Sequence, residues 1–305
     1  MGLKIYTDKT CLKHDMGHGH PERPERLKKI LEYLHNHKTY KHLIEKARPA
    51  TREQICALHT EDYYDLIQNN IPREGLIAID GDTFLSPGTW NASLLAAGVV
   101  CQAVDDVMKA VTQKAFCAVR PPGHHAEPSR AMGFCFFNNV AVGACHALKQ
   151  YNLQRVAIVD FDVHHGNGTD TAARTHNGIL FASTHEWPLF PGTGHPVDNI
   201  PGRIENQILR AGAEGDEFRT VYERNILPAL HAFRPQLMMI SAGFDAHERD
   251  KIADLQLVKD DFAWVTGELK VIAETYAEGR IVSVLEGGYD IQGLIEGVDA
   301  HLGAL

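Results

Sequence analysis

The chain has 305 residues, 44% of them hydrophobic and 23% charged, which excludes a disordered, collagen-like or low-complexity protein. Its 30 Lys and Arg against 39 Asp and Glu leave a net charge of −9, which argues against a general grip on nucleic acid. Eighteen histidines, scattered rather than gathered in a tag, invite a metal or proton-transfer chemistry.

The chain starts MGLKIYTDKTCLKHD, charged throughout and without an apolar h-region, so no secretory signal peptide is expected. No apolar run approaches the roughly 20 residues of a membrane span. Six cysteines (Cys11, Cys56, Cys101, Cys117, Cys135 and Cys145) include no CxxC pair, and reduced thiols in a cytoplasmic protein are expected. Residues 1–50 carry 11 Lys and Arg against 6 Asp and Glu, a basic lobe that reads as a solvated face or the flank of an entrance.

Taken in chain order, a first strand is expected over LKIYT (3–7), then helices over 22–36, 51–59 and 91–110. Strand FCAVR (116–120) precedes a helix over 138–151, and strands RVAIVDFD (155–162) and ILFAST (179–184) follow it. A helix over 216–233, strand QLMMISA (236–242), a helix over 258–279 and strand RIVSVLE (280–286) complete the pattern. Continuous apolar strands separated by helices indicate a mostly parallel central sheet flanked by helices on both faces. With no linker to divide it, the expected architecture is a single α/β domain.

Five of these strands end in polar chemistry: RPPGHH, DFDVHHGNG, STH, SAGFDAH and EGGY. In open parallel sheets, ligands bind outside the carboxyl ends of the strands. No GxGxxG or P-loop spacing occurs. Asp160, Asp162 and His164 alternate along VDFDVHH, and alternate positions of an extended strand share a face. Two carboxylates and an imidazole suit a cation with mixed oxygen and nitrogen ligands. Asp245 in SAGFDAH, at the end of another strand, could complete a three-ligand set, and three protein ligands with an open position are what a catalytic metal requires. The adjacent His124 and His125 suit a general base and an electrostatic partner better than two ligands of one ion. Tyr289, after two glycines, offers a phenol O–H to a developing oxyanion. Each motif alone also has a bland reading: a capped strand end, a structural loop, a packed tyrosine.

RPPGHHAEPSRAMGFCFFNN, DFDVHHGNGT, FPGTG, SAGFDAH and LEGGY stand in the order and spacing of the zinc-dependent histone deacetylase family, and HPERPERL resembles its opening. That family also includes bacterial histone-deacetylase-like amidohydrolases, acetylpolyamine amidohydrolases and acetoin-utilisation proteins. The likeness runs from about His20 to Asp290. It implies an arginase/deacetylase fold, with residues 1–305 forming one deacetylase-like catalytic domain. The implied activity is a hydroxamate-sensitive amide hydrolase acting on acetyl-lysine or another acylated amine. Zn²⁺ would be held by Asp162, His164 and Asp245. His124 and His125 match the tandem pair and Tyr289 the transition-state tyrosine. Gly133, Phe134 and Phe190 match tunnel residues, with Ile252 at the rim, and Arg26, less directly, matches an arginine of the acetate-release region.

The resemblance also implies a structural K⁺ at Asp160, Asp162, His164, Ser183 and Thr184, mostly through backbone carbonyls. A second K⁺ would use carbonyls near Ala173, His176 and Ile179. Asp160 would hydrogen-bond His124, and Asn167, an Asp in some members, stands behind His125. Other departures are Lys251, where a proline is common, and Asp290, often Asn.

Three other functions compete with this one. Hydrolysis of acetylated polyamines would use the same chemistry, but Ile252 stands where a polyamine-selective relative has an acidic gatekeeper, although Asp82 is another acidic candidate. A two-manganese ureohydrolase needs a DAHxD pattern, and DVHHG has His165 and Gly166 there. A silent acyl-lysine-binding module is opposed by the full set of reactive residues. The expected partners are acyl-lysine peptides, proteins or acetylated amines, with no nucleic acid and no membrane. A bacterial, cytoplasmic setting is expected, and a homo-oligomer in which loop 69–90 covers a neighbour's entrance is left open.

Overall fold

A computed structural model describes residues 2–305. Strand β1 (Leu3–Thr7) is followed by α1 (Pro24–Asn36), which opens on a proline whose missing N–H would have had no partner there. Strand β2 (Ile44–Lys46) and helices α2 (Arg52–Ile55) and α3 (Glu61–Asn69) come next, the helices capped by Thr51 and Thr60. An antiparallel hairpin, β3 (Ile77–Asp80) and β4 (Thr83–Leu85), leads into the apolar α4 (Thr89–Met108). Then come β5 (Lys114–Cys117), α5 (Asn139–Tyr151), β6 (Val156–Asp160), α6 (Asn167–Thr175), β7 (Ile179–Glu186) and β8 (Ile204–Leu209). Helices α7 (Gly215–Val221) and α8 (Leu227–Phe233) form one run through a π turn at Tyr222–Ile226. The chain closes with β9 (Leu237–Ala242), α9 (Lys259–Tyr276), β10 (Ile281–Leu285) and α10 (Ile291–Ala304).

Eight strands form one parallel sheet in the order β2-β1-β5-β10-β9-β6-β7-β8. Helices α4 and α5 cover one face, and α9, joined by α10 and α1, covers the other. Every residue of β6, β9 and β10 is buried, as a sheet covered on both faces requires. The single α/β domain expected from the strand pattern is the architecture found. All six expected strands lie in this sheet. The two additional ones, β2 and β8, are its edges. Among the described residues no helix is long and apolar enough to cross a membrane.

The strand order decides where the chemistry meets. β5, β10, β9 and β6 are neighbours in the middle of the sheet, and their C-terminal loops carry the His pair, Tyr289, Asp245, and Asp162 with His164. Four segments far apart in sequence therefore deliver their polar ends to one place.

Candidate active site and metal centre

The alternation assigned to Asp160, Asp162 and His164 is corrected by the structure: β6 ends at Asp160, and the next residues turn rather than extend. Asp162 N–H donates to Asp160 Oδ1 at 3.1 Å, and His164 N–H to Asp162 Oδ1 at 2.9 Å. These turns direct Asp160 to one side and Asp162 with His164 to another. Asp160 Oδ2 lies 2.9 Å from His124 Nδ1. Asp162, His164 and Asp245 instead turn toward a common point, with ligand atoms within 4.8 Å of one another.

Both carboxylates of that trio are anchored by backbone N–H groups. Gly287 N–H donates to Asp162 Oδ2 at 2.8 Å, and Val163 N–H to Asp245 Oδ1 at 2.9 Å. The other oxygens, Asp162 Oδ1 and Asp245 Oδ2, lie 3.0 and 3.2 Å from His164 Nδ1. Asp245 Oδ2 is buried and receives no properly aligned hydrogen bond. A buried carboxylate oxygen without a donor is costly unless a cation takes its charge. Glycine is required at 287, because a Cβ there would lie 2.1 Å from Asp245 Oδ2 and 2.6 Å from Asp162 Oδ2.

The electrostatics agree. Burial and the neighbouring Asp162 push the Asp245 carboxyl up to about 6. Burial opposes charge on His164, but Asp162 and Asp245 outweigh it and push the imidazole up to about 10. A pocket that binds protons so strongly is one that wants positive charge. Two oxygens and one imidazole nitrogen at this spacing fit a catalytic divalent cation with an open position.

The tandem histidines differ sharply. Their rings lie 4.0 Å apart between centroids, tilted by 44°. Burial works against charge on His124, but Asp162 and Asp160 raise it well above the ordinary imidazole range. Burial, then the charges of His124 and His164, push His125 well below that range. His125 Nδ1 lies 2.9 Å from Asn167 Oδ1. The Asn167 amide cannot be turned round, because its Nδ2 donates to Glu127 Oε1 at 2.8 Å and to the His125 carbonyl at 3.3 Å. Nδ1 of His125 must therefore donate, leaving Nε2 as an acceptor.

A cavity of about 220 Å³ is lined by His125, His164 and Tyr289 together with Gly133, Phe134, Phe190 and Ile252. Gly133 has φ +55°, and a Cβ there would meet His125 Cδ2 at 2.4 Å, so only glycine lets that ring and the wall coexist. Leu189 and Asp82 also line it; Leu189 carried no sequence signal, and Asp82 had no assignable place. Burial raises the Tyr289 phenol well above its usual range; Arg26 opposes this, and Asp245 and Asp162 add to it, so the O–H is retained.

Arg26 lies behind that tyrosine, 4.8 Å from its ring centroid. It donates from Nε to the Gly288 carbonyl at 2.6 Å, from Nη2 to the Glu286 carbonyl at 2.6 Å and from Nη1 to Glu22 Oε1 at 3.1 Å. Two supporting carboxylates escaped the sequence reading. Asp250 Oδ2 accepts from the N–H of Tyr289 at 2.6 Å and of Asp290 at 3.0 Å, while Oδ1 accepts from Ile252 N–H at 3.2 Å. Glu286 Oε2 accepts from Gly123 N–H at 2.6 Å and His124 N–H at 3.2 Å. The signal available was the motif itself: each carboxylate lies within a few residues of a reactive one.

Residues 20–305 match the family described as Histone deacetylase domain. The chain belongs to the histone deacetylase family. It is 37% identical over 292 residues to a protein of Archaeoglobus fulgidus named probable deacetylase, covering 93% of this chain and 80% of that one. It is 36% identical over 279 residues to a histone deacetylase-like amidohydrolase of Pseudomonas aeruginosa, covering 89% and 73%. The crystal structure of the HDA15 HD domain superposes with a TM-score of 0.93 at 29% identity, covering 99% of this chain and 87% of that one. As a member of this deacetylase family the protein is a hydrolase of amide bonds.

Proposed function

We propose that this protein removes acetyl groups from lysine side chains of peptides or proteins, using one zinc ion. The observation that carries the reading is the convergence of Asp162, His164 and Asp245 beside an apolar cavity that His164 itself lines. These three residues would hold the zinc, which when bound polarises the amide carbonyl and acidifies a water. The walls formed by Phe134 and Phe190 suit the aliphatic stem of lysine. His125, neutral and with Nε2 as acceptor, takes the proton of the attacking water. His124, kept cationic beside Asp160, stabilises the negative charge that develops. Tyr289 donates its O–H to the oxyanion, and the proton returns through the imidazole pair to the departing amine.

A structural K⁺ on Asp160, Asp162, His164, Ser183 and Thr184 belongs to the same reading, since Ser183 stands in register with Asp160 across β6 and β7. Near Ala173, His176 and Ile179, Arg203 Nε already donates to the Ala173 carbonyl at 2.6 Å and brings the positive charge a second ion would bring. A single K⁺ is therefore proposed. For Arg26, three bonds to the Tyr289 loop and Glu22 favour a clamp over a route for acetate.

Purified protein is expected to turn over an acetyl-lysine peptide, to lose that activity with a zinc chelator, to regain it with added zinc and to be blocked by a hydroxamate. One zinc per chain by elemental analysis accompanies this. Absence of metal-dependent turnover sinks the reading. A second reading, hydrolysis of acetylated polyamines, draws on Asp82 in the cavity wall, whose carboxylate would suit a second ammonium. Turnover of acetylputrescine without turnover of the peptide would install it instead.

A further inference from the structure

Beside the tunnel cavity lies a second hollow of about 400 Å³ that shares Ile252 and Tyr289 with it. A substrate whose side chain enters the tunnel cavity has this groove beside it, across Ile252. Its basic side chains come from two places: Arg23, just before α1, and Arg249 and Lys251 in the turn that follows Asp245. Two carboxylates also line it, Asp250 and Asp290. Both are committed to the protein's own backbone. Asp250 accepts three N–H bonds, and Asp290 caps α10 by accepting from Gly293 N–H at 2.8 Å.

The cations are less committed. Arg23 Nε lies 3.2 Å from Glu25 and Arg249 Nε 3.9 Å from Glu296, both pairs solvent-exposed enough to exchange partners at little cost. Lys251 is exposed and has no ion-pair partner among the described residues. In a chain of net charge −9 the groove's lining carries three basic side chains against two carboxylates, a small positive excess beside the tunnel cavity.

We propose that this groove is a carboxylate-binding subsite that selects acyl-lysine substrates carrying acidic residues beside the modified lysine. The proposal rests on the deacetylase reading above and adds the substrate class to it. The same charges act against cationic neighbours, and therefore against basic peptide flanks and the free ammonium of an acetylpolyamine.

The test compares three acetyl-lysine peptides that differ only in their flanks: Asp and Glu, Gln and Ser, or Lys and Arg. At low salt the acidic peptide is expected to show a KM about three- to tenfold below the neutral one, and the basic peptide a higher KM, with kcat similar for all three. Raising the salt should compress the series. The acidic-to-neutral ratio of kcat/KM should fall toward one in Lys251→Gln and invert in Lys251→Glu; because it is a ratio, loss of folded protein does not mimic either result. Arg249→Gln provides an independent second variant. Equal turnover of all three peptides by the wild type, or a preference that survives these substitutions, overturns the subsite while leaving the deacetylase reading intact. No turnover of any peptide overturns both.

Discussion

Asn167 decides which nitrogen of His125 carries the proton. Its amide is locked by donating to Glu127 and to the His125 carbonyl, so its oxygen can only accept from His125 Nδ1. Asn167→Leu should lower kcat about 10- to 100-fold with little change in KM, since the substitution removes orientation from a proposed general base rather than substrate contacts. Asn167→Asp, which still accepts, should retain most of the activity; steady-state kinetics of both variants decide it. At Tyr289 the phenol O–H is the only group removed by Tyr289→Phe. Loss of about 10²- to 10³-fold in kcat is expected, with zinc content unchanged by elemental analysis. Undiminished turnover would remove the oxyanion role. The histidine excess resolves at this scale into very different environments. His301, for example, is buried and bonded to Thr266 and Ser283, a packing residue with no part in the chemistry.

Between residue and fold lies the turn from Asp245 to Ile252, held to the Tyr289 loop by one carboxylate. Asp250 accepts from three N–H groups, two on the tyrosine's loop and one at the tunnel wall. Its loss leaves half-buried donors without their partner and releases both elements together. Asp250→Ala should therefore raise KM and lower kcat at once, about tenfold or more in kcat/KM, while far-UV circular dichroism stays that of a folded α/β protein. A change in KM alone would show that Tyr289 does not depend on this anchor. The strands and helices themselves were legible to different degrees. β6, β9 and β10 announce themselves as buried apolar runs. β2 is three residues, two of them charged, and β8 carries Glu205, Asn206 and Gln207, because an edge strand with a wet side has no need of a continuous apolar run. α10 holds Gly293, Gly297 and Gly303, and α6 is rich in Gly, Asn and Thr, so their local propensity is weak and packing decides them.

Across the whole molecule, buried charge ties the basic N-terminal lobe to two of the reactive loops. Arg120, which leads into the His pair, donates from Nε and Nη2 to Glu22, each at 2.6 Å, and from Nη1 to the Cys11 and His14 carbonyls. Glu22 also accepts from Arg26, the clamp on the Tyr289 loop. Burial pushes the Glu22 carboxyl up, but Arg120, His14 and Arg26 outweigh it and hold it at about 2, below the ordinary 4.5. Its stabilisation is thus present above about 4.5 and lost as pH falls toward 2. His14 is held by burial at about 3, below 6.5, so its share is present above 6.5 and lost as pH falls from there. Stability should decline on acidification from pH 6.5 downward. Glu22→Gln should cost about 3–5 kcal/mol at pH 7 and flatten the acid limb below 4.5. Urea unfolding across pH tests both; an unchanged acid slope would refute the assignment.

The sequence by itself determined the alternation of apolar strands and helices, and hence a covered parallel sheet. It also carried the motifs that end five of the strands, because local patterning and strand-end chemistry are short-range properties of the chain. Only the tertiary structure decided that β5, β10, β9 and β6 are neighbours, since strand order depends on crossovers that no local pattern encodes. It likewise decided that Asp160 serves His124 while Asp162 and His164 face Asp245, because turns after the strand, not its alternation, aim those side chains. The partners of the supporting carboxylates Glu22, Asp250 and Glu286 were likewise decided there, for they are backbone groups and arginines brought close by folding.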